Sequence, residues 1–201
     1  MIKCLPSIII ELAENEVGYK EKASNNKLET KTENSGKNNY TKYADYIDKN
    51  YPDFYNGKKN GYAWCDVFVD YLFIKSFGVE NAMRMLYQPV KSCGAGCTYS
   101  MRYYKSANRF DKVPSVGSQI FFGNRAEVSN HTGIVTSVSD ECVYTIEGNS
   151  SNGVVRKTYS LSDKTILGYG HPMYDKEEIV KEKMVINVDA KKYSGVVINW
   201  V

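Results

Sequence analysis

Hydrophobic positions in the first half of the chain recur at the three- and four-residue spacing of an amphipathic helix. After Pro6 this repeat continues to Gly18, a residue type that commonly ends helices, so the stretch between them is predicted to be a first helix. The polar stretches 21–39 and 50–63 are predicted to be loops. Further helices are predicted at residues 40–47, 65–77, 80–86 and 98–106.

The pattern changes after Val116, where short apolar or aromatic runs alternate with turn residues. Runs of this length and composition are typical of β-strands. The runs are SQIFFG, HTGIVTSV, ECVYTIE, VVRKTYS and ILGYG. Helices followed by strands predict an α+β fold, with the N-terminal helices packed on one side of a central antiparallel sheet.

The last part of the chain has a different composition. DKEEIVKEKM, which begins at Asp175, carries mixed charge and is predicted to be a linker. The remaining VINVDAKKYSGVVINWV alternates like a pair of strands but is too short to bury a core of its own. We therefore expect one domain at residues 1–174 and an appendage at 175–201, which is either an extra hairpin or the start of a truncated second module.

Length and charge narrow the class of protein. A chain of 201 residues is long enough for one domain with a core, and its net charge of +3 is too small to indicate nucleic-acid binding. No segment approaches the length of a membrane span. Pro6, Glu11 and Glu14 interrupt the N-terminal apolar run, so no export signal is expected and synthesis in the cytoplasm is predicted.

The five cysteines do not form a closed disulfide framework, because their number is odd. Cys93 and Cys97 are spaced more loosely than a zinc knuckle, and the chain has no second pair and only two histidines. A structural zinc site is therefore not expected. We interpret Cys93 and Cys97 as packing residues of a protein with reduced thiols.

Cys65 differs from the other cysteines because it opens the strongly apolar run CDVFVDYLFIKSF. Asp66 and Asp70 are predicted to lie off the apolar stripe of this helix. A helix N-terminus stabilises a thiolate, which is the nucleophilic form of cysteine. A buried cysteine without a chemical role is the commoner case, so position alone does not identify a nucleophile.

A base for Cys65 is predicted in the second half of the chain, where His131 opens HTGIVTSV and the next strand ends near Glu147 and Asn149. With a three-residue loop at 139–141, the two strands form a hairpin with one largely apolar face. This register pairs Ile134 with Ile146, Thr136 with Tyr144 and Val138 with Cys142. The apolar face then holds Ile134, Val138, Cys142, Tyr144 and Ile146, and the other face holds His131, Gly133, Thr145, Glu147 and Asn149.

The register thus gathers an imidazole, a carboxylate and an amide on one face of the hairpin. His131 would take the proton of a thiol, and either Glu147 or Asn149 would hold its ring in the required tautomer. Each of these residues alone is more often an ordinary strand-end residue. Their joint placement with Cys65 favours a catalytic group.

With these residues the sequence resembles the CHAP domain, the cysteine/histidine-dependent amidohydrolase/peptidase, especially as found in phage endolysins. The resemblance covers nearly all of residues 8–174. The segments that carry it are NGYAWCDVFVDY, GAGCTYS, VGSQIFF, NHTGIV, YTIEGNS and LGYGHP, with EVGYKEK and YTKYAD nearer the start.

The resemblance implies a papain-like (NlpC-type) fold and hydrolysis of an amide bond in peptidoglycan. Cys65 would be the nucleophile, His131 the general base and then acid, Glu147 the orienting acid, and Asn149 the accompanying amide. The main-chain N–H of Cys65 would bind the oxyanion. A further donor or groove residue is expected from the segment before it, at Asn60, Tyr62 or Trp64.

The sequence departs from the family in the loop NGKKNGYAW, where some members bind calcium through aspartates. Lys58 and Lys59 occupy this loop, so no metal and no other cofactor is expected. His171 in GHP matches no catalytic position of the family. We interpret it as a structural or rim residue.

These features predict a monomeric cysteine amidase or endopeptidase whose partner is bacterial peptidoglycan. Either the N-acetylmuramoyl-L-alanine amide or a stem or cross-bridge peptide bond is a possible target. The alternatives are a wall-binding module without catalysis and another papain-like amide hydrolase or transferase. Action on the cell wall after release, in phage or prophage lysis or from a virion, is expected.

Overall fold

A computed structural model describes residues 3–89 and 91–175. Five helices precede six strands, which confirms the predicted α+β class. The helices are α1 (Pro6–Glu16), α2 (Lys42–Asn50), α3 (Cys65–Phe77), α4 (Val79–Met85) and α5 (Cys97–Ser106). The strands are β1 (Phe110–Asp111), β2 (Gln119–Phe122), β3 (His131–Val138), β4 (Cys142–Ser150), β5 (Gly153–Ser160) and β6 (Ile166–Gly170). Beyond Asp175, the predicted linker and strand pair lie outside the described residues.

Helix α3 lies at the centre of the fold, and eleven of its thirteen residues are buried. Gly78, at a positive φ of 80°, ends it as expected. Asp66 and Asp70, which were predicted to lie off the apolar stripe, are nevertheless almost completely buried. Buried carboxylates need hydrogen-bond donors, and neighbouring segments supply them. For Asp70 the donors are Tyr55 Oη and Gln88 Nε2, each at 2.6 Å.

The six strands form one antiparallel sheet in the order β1-β6-β2-β3-β4-β5. One face packs against the helices in the main core, to which Phe121, Ile134 and Ile146 contribute. The other face holds a second cluster made only of strand residues: Ile120, Phe122, Val135, Val143, Ile166 and Tyr169.

The sheet curves strongly around this second cluster. Phe122 of β2 and Tyr159 of β5 have ring centroids 4.7 Å apart, although β3 and β4 separate their strands in the sheet. A flat sheet would keep strands three positions apart at about 14 Å. Curvature therefore buries both faces of the strands that carry His131 and Glu147.

The β3–β4 hairpin follows the predicted register only near the start of β3. Ile134 pairs with Ile146 as expected, but a bulge at Thr136 shifts the pairing, so that Ser137 opposes Tyr144. The predicted pairs Thr136–Tyr144 and Val138–Cys142 are therefore wrong. Because an inserted residue reverses the faces beyond it, Val138 packs against the second cluster and Tyr144 is 40% exposed.

Candidate active site

The start of α3 is fixed by the completely buried side chain of Trp64. Its ring packs against Tyr43, with centroids 5.5 Å apart, and against Phe68 at 6.3 Å. The indole Nε1 donates a hydrogen bond to Glu21 Oε2 at 2.9 Å. These contacts set the position of Cys65, the first residue of the helix, which is 8% exposed.

Gly148 allows the first turn of α3 to lie against β4. A Cβ atom at this position would be 2.5 Å from Phe68 Cβ and 2.9 Å from the Trp64 ring, distances that real side chains do not tolerate. The glycine therefore brings Cys65 to the hairpin at the residue between Glu147 and Asn149.

On the hairpin, His131 Nε2 lies 2.8 Å from Glu147 Oε2. The Glu147 side chain is 1% exposed, and its other oxygen accepts a hydrogen bond from Thr145 Oγ1 at 2.7 Å. Gly133 leaves room for this carboxylate, because a Cβ there would be 2.5 Å from Glu147 Cγ. With Nε2 directed at Glu147, Nδ1 is the ring nitrogen left to exchange a proton with a thiol.

The electrostatics of the site favour a thiolate and an imidazolium. Hydrogen bonding from Cys97 lowers the pKa of Cys65 well below its usual range; burial opposes this shift, and His131 and the main-chain N–H of Asp66 reinforce it. Burial disfavours protonation of His131, but its interactions with Cys65 and Glu147 outweigh burial and raise its pKa to about 9. The pair can therefore hold opposite charges near neutral pH.

Cys97 is the residue of the site that sequence reasoning missed. Its Sγ lies 3.4 Å from Cys65 Sγ, so the interpretation of Cys97 as a packing residue is incomplete. Cys65 and Cys97 are both free thiols. Like Cys65, Cys97 is the first residue of a helix, here α5. This position is a feature of the sequence that could have indicated a role in the site. The contact itself spans 32 residues of sequence.

The structure does not join Asn149 to this group by a hydrogen bond. Asn149 is partly buried and has a positive φ of 56°, at a point where the pairing of β4 with β5 shifts. Its side chain makes no hydrogen bond to any residue within 3–89 and 91–175.

The predicted groove residues occupy three different environments. The N–H of Asn60 donates to Asp48 Oδ2 at 2.9 Å, and its side chain bonds Thr41 N and Asn25 Oδ1. The N–H of Tyr62 donates to Lys59 O at 3.0 Å, which leaves its 66%-exposed ring as the accessible part. Neither N–H is therefore free to bind an oxyanion.

For Trp64 the expectation of a groove residue is wrong, because its ring is inside the core. Its large apolar surface is satisfied by aromatic neighbours and its N–H by a carboxylate, so it supports Cys65 from behind.

His171 lies in a separate polar cluster beside a cavity of about 620 Å³. Its Nδ1 is 3.0 Å from Ser118 Oγ and 3.2 Å from Ser115 Oγ, and its Nε2 is 3.0 Å from Asp111 Oδ1. None of these partners belongs to the group around Cys65.

In the part of the chain that the structure describes, no group of three or more His, Cys, Asp or Glu side chains is arranged to hold a metal ion. No helix there is both long enough and apolar enough to cross a membrane.

Comparison with known proteins finds one family model that matches the part of the chain that carries this site. Residues 57–149 match the model of the CHAP domain, and this range includes Cys65, Cys97, His131, Glu147 and Asn149. No curated protein matches the chain. Two solved structures resemble parts of it.

One is titled "The crystal structure of Ly7917", with 14% identity, a TM-score of 0.35 and coverage of 54% of this chain and 52% of that one. The other is Ly7917 "with the hydrolyzing product of MDP", with 20% identity, a TM-score of 0.27 and 33% coverage of each chain. The chain thus spans about half or less of the structures that it matches. The helices-before-sheet arrangement is consistent with the papain-like fold that the resemblance implies. Residues 57–149, which carry the candidate site, are thus similar to the CHAP domain.

Proposed function

We propose that the protein is a cysteine hydrolase that cleaves an amide bond of bacterial peptidoglycan. The observation that carries the proposal is the juxtaposition of a buried, helix-terminal thiol with a histidine that a buried glutamate holds at 2.8 Å. A nucleophile, a base within reach and a group that orients the base are the parts that covalent amide hydrolysis needs.

In the proposed reaction the Cys65 thiolate attacks the carbonyl carbon of the scissile amide. The oxyanion forms beside the main-chain N–H of Cys65, which donates no hydrogen bond to the described residues. The His131 imidazolium then gives its proton to the leaving nitrogen, the C–N bond breaks, and a thioester remains on Cys65. Neutral His131 takes a proton from water, whose oxygen attacks the thioester and regenerates the thiolate.

Glu147 acts on the histidine rather than on the substrate. Its Oε2 accepts from Nε2–H, which directs Nδ1 towards the thiol and stabilises the imidazolium. The bond from Thr145 and the tight fit against Gly133 keep the carboxylate in place. We give Asn149 no step of its own.

The choice of peptidoglycan rests on the similarity of residues 57–149 to the CHAP domain, and two bond classes fit the chemistry equally. These are the N-acetylmuramoyl-L-alanine amide and a peptide bond of the stem or cross-bridge. We further propose that residues 1–174 are the catalytic domain and that the enzyme reaches the wall after release from the cell in which it is made.

Digestion of purified peptidoglycan, with the products read by mass spectrometry, tests the proposal. The variants are Cys65→Ala and, as a matched control, Cys142→Ala, which removes a thiol far from His131 in the hairpin. We expect new termini with wild type and Cys142→Ala and none with Cys65→Ala. The new termini identify the bond.

Equal products from wild type and Cys65→Ala would refute the cysteine mechanism. If folded, reduced wild type released no products from walls of several chemotypes while still sedimenting with them, a wall-binding module would replace the hydrolase.

A further inference from the structure

The thiol of Cys97 contacts the sulfur that the proposed function uses as nucleophile. The two Sγ atoms are 3.4 Å apart, and both residues are buried. At this distance one sulfur donates its hydrogen to the other. Whichever sulfur carries the hydrogen therefore stabilises negative charge on its partner.

The position of Cys97 is fixed by the residue that follows Cys65. Asp66 Oδ2 accepts hydrogen bonds from Gly96 N and Ser100 Oγ, both at 2.9 Å, so one carboxylate holds the residue before Cys97 and the turn after it. Asp66 Oδ1 accepts from Gln119 Nε2 of β2 at 3.1 Å. Through Asp66, the first turn of α3 is thus hydrogen-bonded both to the start of α5 and to strand β2 of the sheet.

The two sulfurs have different surroundings, and these favour one of them as the donor. Cys65 also faces His131 and the N–H of Asp66, both of which stabilise a thiolate. At Cys97 the contact with Cys65, burial and the nearby Asp66 all raise the pKa. These surroundings favour the hydrogen on Cys97 and the negative charge on Cys65.

We propose that Cys97 is a positioning residue whose S–H donates a hydrogen bond to the Cys65 thiolate and holds its sulfur for attack. The inference rests on the proposed function in assigning the nucleophile, and it adds a fourth member to the group. Without that donor the buried thiolate is less stable, so a smaller fraction of Cys65 is ionised at neutral pH.

Four groups on four elements set the ionisation of Cys65, and the test has to separate them. Cys97 faces it from α5 and His131 from β3, while Glu147 of β4 acts through His131. Asp66 of α3 is adjacent in sequence, and burial and the charges of Asp70 and Cys65 raise its own pKa. Only changes at Cys97 remove the sulfur donor and leave the other three in place.

The experiment measures the alkylation of Cys65 by iodoacetamide as a function of pH, quantified at this residue by peptide mass spectrometry. The variants are Cys97→Ala, which removes the donor, and Cys97→Ser, which keeps a donor of similar size. Cys93→Ala is the matched control, because it deletes a buried thiol whose contact is Gly94 O rather than Cys65. Thermal unfolding of each variant reports whether it is folded.

We expect Cys97→Ala to shift the rise of the alkylation rate to higher pH by about one unit. At pH values below the ionisation of Cys65, the rate should therefore be about tenfold lower than in wild type. Cys97→Ser and Cys93→Ala should follow wild type. On peptidoglycan, kcat should fall for Cys97→Ala with KM unchanged.

Superimposed profiles for wild type and Cys97→Ala would overturn the inference, as would an equal shift for Cys97→Ala and Cys97→Ser, which would indicate lost packing. Alkylation requires no peptidoglycan, so a failure of the proposed function leaves this readout intact.

Discussion

The molecule contains two histidine–carboxylate pairs of nearly the same geometry. His131 Nε2 lies 2.8 Å from Glu147, and His171 Nε2 lies 3.0 Å from Asp111. The carboxylates differ in exposure, since the Glu147 side chain is 1% exposed and that of Asp111 is 57% exposed. The first pair meets a thiol at a helix start, whereas the second meets two serine hydroxyls.

The difference shows that the distance between imidazole and carboxylate does not by itself make a catalytic pair. Charge interactions are stronger where water is excluded, so Glu147 can stabilise an imidazolium more than Asp111 can. The hydroxyls of Ser115 and Ser118 bond each other at 2.6 Å as well as His171, which satisfies that cluster internally. The Cys65 thiol has the charge of a helix N-terminus and a partner that takes its proton.

Replacement of the two histidines should give the largest contrast. His131→Ala removes the imidazole that interacts with Cys65, and we expect kcat/KM on peptidoglycan to fall about a thousandfold or more. His171→Ala should leave kcat/KM within about twofold. Initial rates on the same peptidoglycan preparation measure both. Comparable losses for the two variants would show that the second cluster also takes part in the reaction.

Removal of the Glu147 charge should have the next largest effect. The wild-type rate should rise with pH as Cys65 ionises and fall above about 9, the pKa of His131, because the leaving group then lacks a proton donor. Glu147 raises that pKa, so Glu147→Gln should move the basic limb to lower pH and reduce kcat about a hundredfold. The pH profile of kcat/KM measures the shift of the basic limb, and the rate at saturating peptidoglycan measures the loss in kcat. A basic limb that stays in place would show that Glu147 does not set the ionisation of His131.

A larger side chain at Gly133, beside the buried His131–Glu147 pair, tests whether the close packing of Glu147 is needed for activity. A methyl group at Gly133 would overlap Glu147 Cγ, so Gly133→Ala should displace the carboxylate and lower the free energy of unfolding by about 1–3 kcal/mol. Activity should fall about tenfold as the His131 ring loses its orientation. Urea unfolding and initial rates give the two numbers. Full activity with reduced stability would separate packing from catalysis here.

Removal of the carboxylate from the exposed His171–Asp111 pair should have the smallest effect. Asp111→Asn removes a carboxylate whose hydrogen bond with His171 lowers its own pKa, but water screens this interaction. We expect the free energy of unfolding to change by about 0.5 kcal/mol or less, with no change in kcat. The same unfolding assay, repeated at high salt, measures it. A loss as large as that of Gly133→Ala would mean that exposure does not distinguish the pairs.

Local pattern predicted the elements of the fold well. The bounds of α3 follow from the apolar run after Cys65 and the glycine at 78. The register at Ile134 follows from strand alternation. Both features depend on residues close in sequence, where period and turn chemistry are informative.

The features that were missed depend on contacts distant in sequence. Nothing in HTGIVTSV signals the bulge at Thr136. Asp66 is buried because donors from α5 and β2 surround its carboxylate, which its own helix does not reveal. The Cys97 contact requires two helix starts to meet. The burial of Asp66 departs from the usual rule that carboxylates are exposed, and both Asp66 and Cys97 lie at the candidate site.

The 3.4 Å separation of the two sulfurs also governs how the protein withstands oxidation. Hydrogen peroxide converts the Cys65 thiolate to a sulfenic acid and releases hydroxide. A sulfenic acid left alone proceeds to a sulfinic acid, which thiols do not reduce. Because the Cys97 sulfur is adjacent, we expect it to attack the sulfenic acid instead, with formation of an S–S bond and loss of water. Dithiothreitol then restores both thiols, so a protein inactivated in air is expected to be recoverable.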